Sequence, residues 1–306
     1  MKPLCLKTGD AEIQIFTQYP DKFIKALEDS FSRRYLPKFH VINECQSDVI
    51  IYWLYKPTGF TLLTKNLSSI RLPSIFIVEG DYPAPYVNES PVFFLLQVFA
   101  YASIKHDSIL ITDSVAVESN GKVILFLGYP HSGKSSVSAL AYYLGARVLS
   151  TENTLIRISR PLKVVSGTTV LVYDPRIKEL YDIKMVPDGS TKHGYEYIDL
   201  ATRYPNMPLD LSIDRIFVIH SGFTCKGFST SPIRGRKVRK TLWYFSTSLL
   251  NGVDYYDPRP LRDLLINDAD RKLDDFFHII EESYADRVHE VFGSIPEIVK
   301  NTLFQE

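Results

Sequence analysis

Residues 128–135 read Gly-Tyr-Pro-His-Ser-Gly-Lys-Ser and fit the phosphate-loop pattern G-x-x-x-x-G-K-[S/T] in full. The chemistry such a loop performs is anion binding by backbone. Gly128 and Gly133 permit a tight turn whose N–H groups face phosphate at a helix N-terminus. The contact set spans Gly128, Tyr129, Pro130, His131, Ser132, Gly133, Lys134, Ser135 and Ser136. Lys134 can reach the transferred phosphate, and the Ser135 hydroxyl can ligate Mg²⁺. His131 either touches phosphate or points to solvent. An ordinary strand-to-helix turn holding a lysine is the bland alternative, but the flanks favour the loop: "VILFL" leads in as a strand and "SVSALAYYL" leads out as a helix. The sequence therefore predicts a nucleoside-triphosphate site, with ATP and Mg²⁺ as its ligands.

These residues need a framework. Before the loop, "SILITD" and "SVAVES" read as strands, and "SNGK" turns the second into "VILFLG". After it, Gly145 closes the helix in the C′ position, and "ARVLS", "NTLIRI", "KVVSG", "TVLVYD" and "DRIFVIH" read as further strands. The first hundred residues have their own α/β pattern: strands at "AEIQIFT", "SDVIIYWLY" and "SIFIVEG", and a helix from about Asp21 over "PDKFIKALEDSFSRRY". An apolar helix near 94–105 closes that region. From Pro258 onward, "RPLRDLLIND" and "DDFFHIIEESYADRVHEVF" read as helical, and "INDADRKLDD" as a helix start, since it lacks the Gly and terminal Glu of a calcium loop. Three regions are thus predicted: an N-terminal α/β region over 1–105, a core carrying the phosphate loop over 106–257, and a C-terminal helical cap over 258–306.

Composition narrows the partners. Lys plus Arg and Asp plus Glu both number 35, so the chain has no basic field for nucleic acid or an anionic membrane. The apolar run at 91–104 is short for a membrane span and contains Gln97, which favours a buried helix. The N-terminus has no apolar signal core, and Cys5, Cys45 and Cys225 are far apart and odd in number. No disulfide framework is predicted, and the chain is expected to be cytoplasmic. Five glutamines beside many Ile and Tyr hint at a hot habitat. Nothing in the sequence specifies an oligomeric state.

The kind of phosphoryl transfer is narrowed by what is missing. No Asn-Lys-x-Asp follows the loop, as a GTPase would need, and "IFVIH" ends in His220 rather than the Asp of a motor ATPase. The stretch from Ile111 to Ile158, "ITDSVAVESNGKVILFLGYPHSGKSSVSALAYYLGARVLSTENTLIRI", resembles the HPr kinase/phosphorylase family and its relatives. A fainter likeness lies at "SPIRGRKVRKTLWYFSTSLLN", 231–251, similar to that family's Pro- and Arg-rich segment. The resemblance implies an α/β fold with a P-loop kinase core of the HPr kinase/phosphoenolpyruvate-carboxykinase-like type, flanked by an N-terminal α/β region and C-terminal helices. The family's His falls at Asp113 and its Asp-Asp pair at Thr151-Glu152, while its Glu-containing signature appears only as "VVSGTT". A chain with that loop and an altered acceptor side looks like the archaeal free L-serine kinases of this group, which make O-phosphoserine from serine and ATP. The resemblance alone implies serine as the small-molecule acceptor. An HPr-type protein kinase, or a nucleotide-binding regulatory module without transfer chemistry, are the alternatives.

Phosphorylating a hydroxyl needs a carboxylate to orient it and take its proton. Glu152 is the leading candidate: it follows a strand expected to lie beside the loop, at the carboxyl edge of the sheet. A surface turn after a strand is its bland alternative. Asp113 ends the strand before the hairpin and is either a second functional carboxylate or a turn-stabilising one. In "RGRKVRK", 234–240, the family likeness favours Arg234 and Arg236 as partners for the anionic acceptor, against a solvated basic loop. The predicted catalytic set is Glu152, Asp113 and Lys134.

Overall fold

In the computed structural model the described residues are 2–68, 72–84, 89–207, 209–222, 227–251 and 267–305. The chain opens with β1 (Lys2–Thr8), β2 (Ala11–Thr17), α1 (Pro20–Glu28), α2 (Ser30–Tyr35), β3 (His40–Ile42), β4 (Val49–Tyr55), β5 (Phe60–Asn66) and β6 (Ser74–Gly80). These strands form one six-stranded sheet in the order β3-β1-β2-β4-β6-β5. Strict in–out alternation on β2 and β6 gives that sheet one apolar face, as period-2 patterning requires. The helix predicted from Asp21 is two helices, because Asp29 leaves helical geometry and caps the second through Phe31 N–H (2.8 Å).

Helix α3 (Ser90–Ile104) is buried along its whole length. It packs between β2 and the elements that follow, and Gln97 Nε2 donates to Leu249 O at 2.9 Å. A single apolar core runs from Leu4 of the first sheet through α3 to Tyr284. Among the described residues no helix is long and apolar enough to cross a membrane.

A nine-stranded sheet carries the loop that begins at Gly128. Its strands are β7 (Ser108–Ile111), β8 (Ser114–Ser119), β9 (Lys122–Leu127), β10 (Arg147–Ser150), β11 (Thr154–Arg157), β12 (Lys163–Gly167), β16 (Leu211–Ser221), β17 (Phe228–Pro232) and β18 (Val288–Gly293). Between them come α4 (Lys134–Tyr143), β13 (Val170–Tyr173), α5 (Arg176–Leu180), β14 (Gly189–Ser190), β15 (Glu196–Asp199), α6 (Leu200–Arg203), α7 (Arg236–Asn251) and α8 (Asn267–Ser283), and α9 (Ile295–Leu303) ends the series. The strand order is β10-β8-β9-β16-β12-β11-β7, with β18 also on β16 and β17 on β18. Strand β16 is long enough to serve two neighbours besides β9: its Leu211–Ser212 end pairs with β12, and from Ile216 onward it pairs in parallel with β18. The β8–β9 hairpin turns at Asn120 and Gly121, both at positive φ (52° and 76°), the geometry that a two-residue Asn-Gly hairpin favours.

Two expectations are corrected here. The C-terminal region is not purely a helical cap, because "VHEVFG" is strand β18, in parallel register with β16. Val288 and Val291 are fully buried there, and two-sided burial in a sheet overrides the helical pattern of the preceding residues. Most of the predicted helix "RPLRDLLIND" lies outside the described residues. Cys5 and Cys45 form a disulfide: the antiparallel pairing of β1 with β3 sets Cys5 opposite Ile42 and brings the two Cα atoms to 5.9 Å. Residues forty apart in sequence are joined by register, which cysteine spacing does not reveal. Cys225 lies outside the described residues.

Candidate functional site

The loop between β9 and α4 lies at the carboxyl end of β9, in the interior of the sheet. Both glycines are required by their surroundings. Gly133 sits at φ 97°, and a Cβ there would fall 2.5 Å from Ser221 Oγ and 2.6 Å from Ile295 Cδ1. A Cβ on Gly128 would overlap Ser132 Oγ. Ser221, the last residue of β16, donates from Oγ to Ser132 O at 2.6 Å and ties the loop to the neighbouring strand. At the far end of α4, Gly145 (φ 90°) is the predicted C′ residue: its N–H reaches Tyr142 O, and Ala146 N–H reaches Ala141 O. Tyr129, Pro130 and His131 are exposed, whereas Ser132, Gly133, Ser135 and Ser136 are half-buried.

Lys134 is buried at the start of α4, and its side chain folds back over the loop. Nζ donates to Gly128 O (2.5 Å) and Tyr129 O (3.1 Å) and forms an ion pair with Asp113 Oδ1 at 2.8 Å. Asp113 is itself fully buried, at φ 52° in the turn joining β7 to β8. Its carbonyl accepts Gly128 N–H at 3.1 Å, and its Oδ2 accepts the Tyr244 hydroxyl at 3.1 Å. So Asp113 meets the loop twice, at Gly128 through its backbone carbonyl and at Lys134 through its side chain.

Glu152 lies in the turn after β10. That strand pairs with β8, so one strand separates it from β9 instead of the direct adjacency expected. The turn is held by Thr168, whose Oγ1 accepts the Glu152 N–H (2.8 Å) and Asn153 N–H (3.1 Å). Burial pushes the Glu152 carboxyl above the usual carboxylate range; Arg34 and Lys134 oppose that rise, and Asp113 adds to it. These four charged groups therefore share one electrostatic environment. Thr168 stands in the "VVSGTT" segment, where sequence reasoning found only a missing glutamate.

The sequence gives no reason to choose Arg34, because "SFSRRY" reads as an ordinary amphipathic helix. Tertiary contacts bring α2 to the site. Asn153 Nδ2 donates to Tyr35 O at 2.8 Å, and Arg33 makes a bidentate pair with Asp199 (3.0 and 2.7 Å). The basic segment is placed elsewhere. Arg234 pairs with Asp286 at 2.7 Å, both well exposed, just before β18 begins and so toward the opposite edge of the sheet from the loop. Arg236 is exposed at the first turn of α7, eight residues before Tyr244, or about 12 Å along the helix. The structure thus brings Asp113, Lys134 and Glu152 together and leaves Arg234 and Arg236 apart from them. No group of three or more His, Cys, Asp or Glu suited to a metal occurs among the described residues. A Mg²⁺ bound with nucleotide would take Ser135 and phosphate oxygens as ligands, which needs no such cluster.

The chain matches no family model, and no curated protein matches it.

Proposed function

We propose that the protein is an ATP-dependent small-molecule kinase that moves the γ-phosphate to a hydroxyl, with free L-serine as the acceptor the family resemblance implies. The observation that carries the kinase reading is the buried Lys134–Asp113 pair at the phosphate loop with the Glu152 carboxyl in the same field. A carboxylate with a raised pKa suits proton acceptance from an alcohol at neutral pH better than an ordinary one, because base strength rises with pKa. Lys134 would move from the loop carbonyls to the phosphate oxygens, and Asp113 would hold it in line. Mg²⁺ supplies charge neutralisation of the β- and γ-phosphates when bound.

An amino-acid acceptor also needs a cation for its carboxylate. Arg34 takes that role here in place of Arg234 and Arg236, since it shares the environment of Glu152. This makes the N-terminal region the acceptor-side cover. The test is to incubate the protein with Mg²⁺ and ATP and a panel of amino acids, sugars and polyols, following ADP release. Acceptor-dependent release with serine, and little with ethanolamine, supports the assignment. Release independent of any acceptor would reject it.

A further inference from the structure

The flank of the loop opposite Asp113 and Glu152 carries two aromatic rings that the kinase reading does not use. His220 and Phe292 are register partners on β16 and β18. Their rings stack at 4.7 Å with an interplanar angle of 11°. The Phe292 residue is 40% exposed and the His220 side chain 38%. His220 directly precedes Ser221, which holds the Ser132 carbonyl, so the pair adjoins the loop.

Alternation along β16 fixes which side of the sheet the rings occupy. Ile216 and Val218 share a core with Val238, Leu242 and Phe245 of α7, whereas Phe217 and Ile219 share the other core with Val137 of α4 and Ile295. His220 has the parity of Ile216 and Val218 and therefore lies on the α7 side. Tyr129, 47% exposed within the loop, sets its ring against those of Tyr244 and Phe245 of α7 (5.1 Å, tilted by 41°) and lies on that side as well. Glu290 is paired with Lys237 at 2.6 Å and lies 3.6 Å from His220 Nε2.

The direction of a bound nucleotide follows from the charges. The transferred phosphate must face Lys134, Asp113 and Glu152, and Asp113 directly precedes β8 while Glu152 follows β10, both on the side of β9 away from β16. The nucleoside must then leave the loop on the other side, over β16 and β18. Two strand spacings, about 10 Å, separate β9 from β18. That is the span ribose and α-phosphate must cross.

We infer that the His220–Phe292 stack is the platform for the purine base of the nucleotide whose phosphates the loop binds. Stacking on an aromatic face suits a purine because every base has a π-face. The inference rests on the nucleotide reading of the loop, and its test separates the two.

Titrate the full chain calorimetrically with Mg²⁺–ATP and with Mg²⁺–tripolyphosphate, which has the phosphates but no base. Phe292→Ala should weaken ATP binding about tenfold, as loss of a stacking ring does, and leave tripolyphosphate binding unchanged. Phe292→Trp should retain ATP binding. Unchanged ATP affinity in Phe292→Ala, or an equal loss for both ligands, would overturn the platform. Wild-type protein that binds tripolyphosphate as tightly as ATP would keep the loop as a phosphate site and reject the platform. If it binds neither ligand, the nucleotide reading fails and the platform falls with it.

Discussion

Lys134 and Asp113 are both buried, and each is the other's charge partner, so neither can be removed alone without stranding a charge. Lys134→Ala is expected to abolish turnover and also to lower stability by about 3–5 kcal/mol. Adding Asp113→Asn in the same chain should recover much of that stability and none of the activity, which urea denaturation and ADP release would resolve. Glu152 behaves differently. Its carboxyl is raised in the folded state, so folding takes up a proton between the ordinary carboxylate range and the raised value. The unfolded state binds fewer protons in that window, and the stability contributed at low pH is lost as pH rises through the folded pKa. Glu152→Gln should therefore raise Tm at pH 7, on the order of 2 °C, with no gain in acid below the ordinary carboxylate range. The same variant should lose at least about 100-fold in rate. Wild-type kcat/KM should fall with acidification at a pH above that of an ordinary carboxylate. A variant that is both less stable at pH 7 and fully active would remove Glu152 from the site.

At the scale of elements, α2 is tied to the junction of β15 and α6 through the Arg33–Asp199 pair. Burial opposes the charge on Asp199, but Arg33, with Thr202, holds its carboxyl below the usual range. The pair's contribution is present above the ordinary Asp pKa and lost as pH falls through the depressed one. Arg33→Ala should cost about 1.5–3 kcal/mol, the range for hydrogen bonds to a charged group. If α2 lines the acceptor site, that variant should also raise the KM for serine and leave the KM for ATP unchanged. Equal changes in both constants would mean that α2 acts on the site only through overall stability.

For the whole molecule, one core joins both sheets through α3, so the N-terminal region and the loop-bearing sheet should unfold together. The Cys5–Cys45 bond closes a span of 40 residues inside the first sheet. By loop entropy such a cross-link contributes about 4 kcal/mol. Guanidinium denaturation with and without reductant should show that loss as a lowered midpoint, with fluorescence and circular dichroism transitions still coinciding. Two separated transitions would show that the regions are independent.

The strand–loop–helix at residues 122–143 was legible in the sequence because its signals are local: an apolar strand, two glycines that the turn requires, and a run of helix formers. The β8–β9 hairpin and the Gly145 helix end were legible for the same reason, since Asn120-Gly121 and Gly145 adopt positive φ cheaply. Asp113 and Glu152 were legible as candidates, but not the geometry that relates them. Only folding carries Asp113 to the lysine 21 positions later in the chain. It is also folding that brings Arg34 to Glu152, sets Thr168 under the Glu152 turn, and turns "VHEVFG" into an interior strand. Each of these depends on which strands pair and in what register, a property of the whole sheet that composition and local periodicity do not encode. The exposed stack of His220 on Phe292 has the same origin, because 72 residues separate the two rings and only parallel register makes them neighbours.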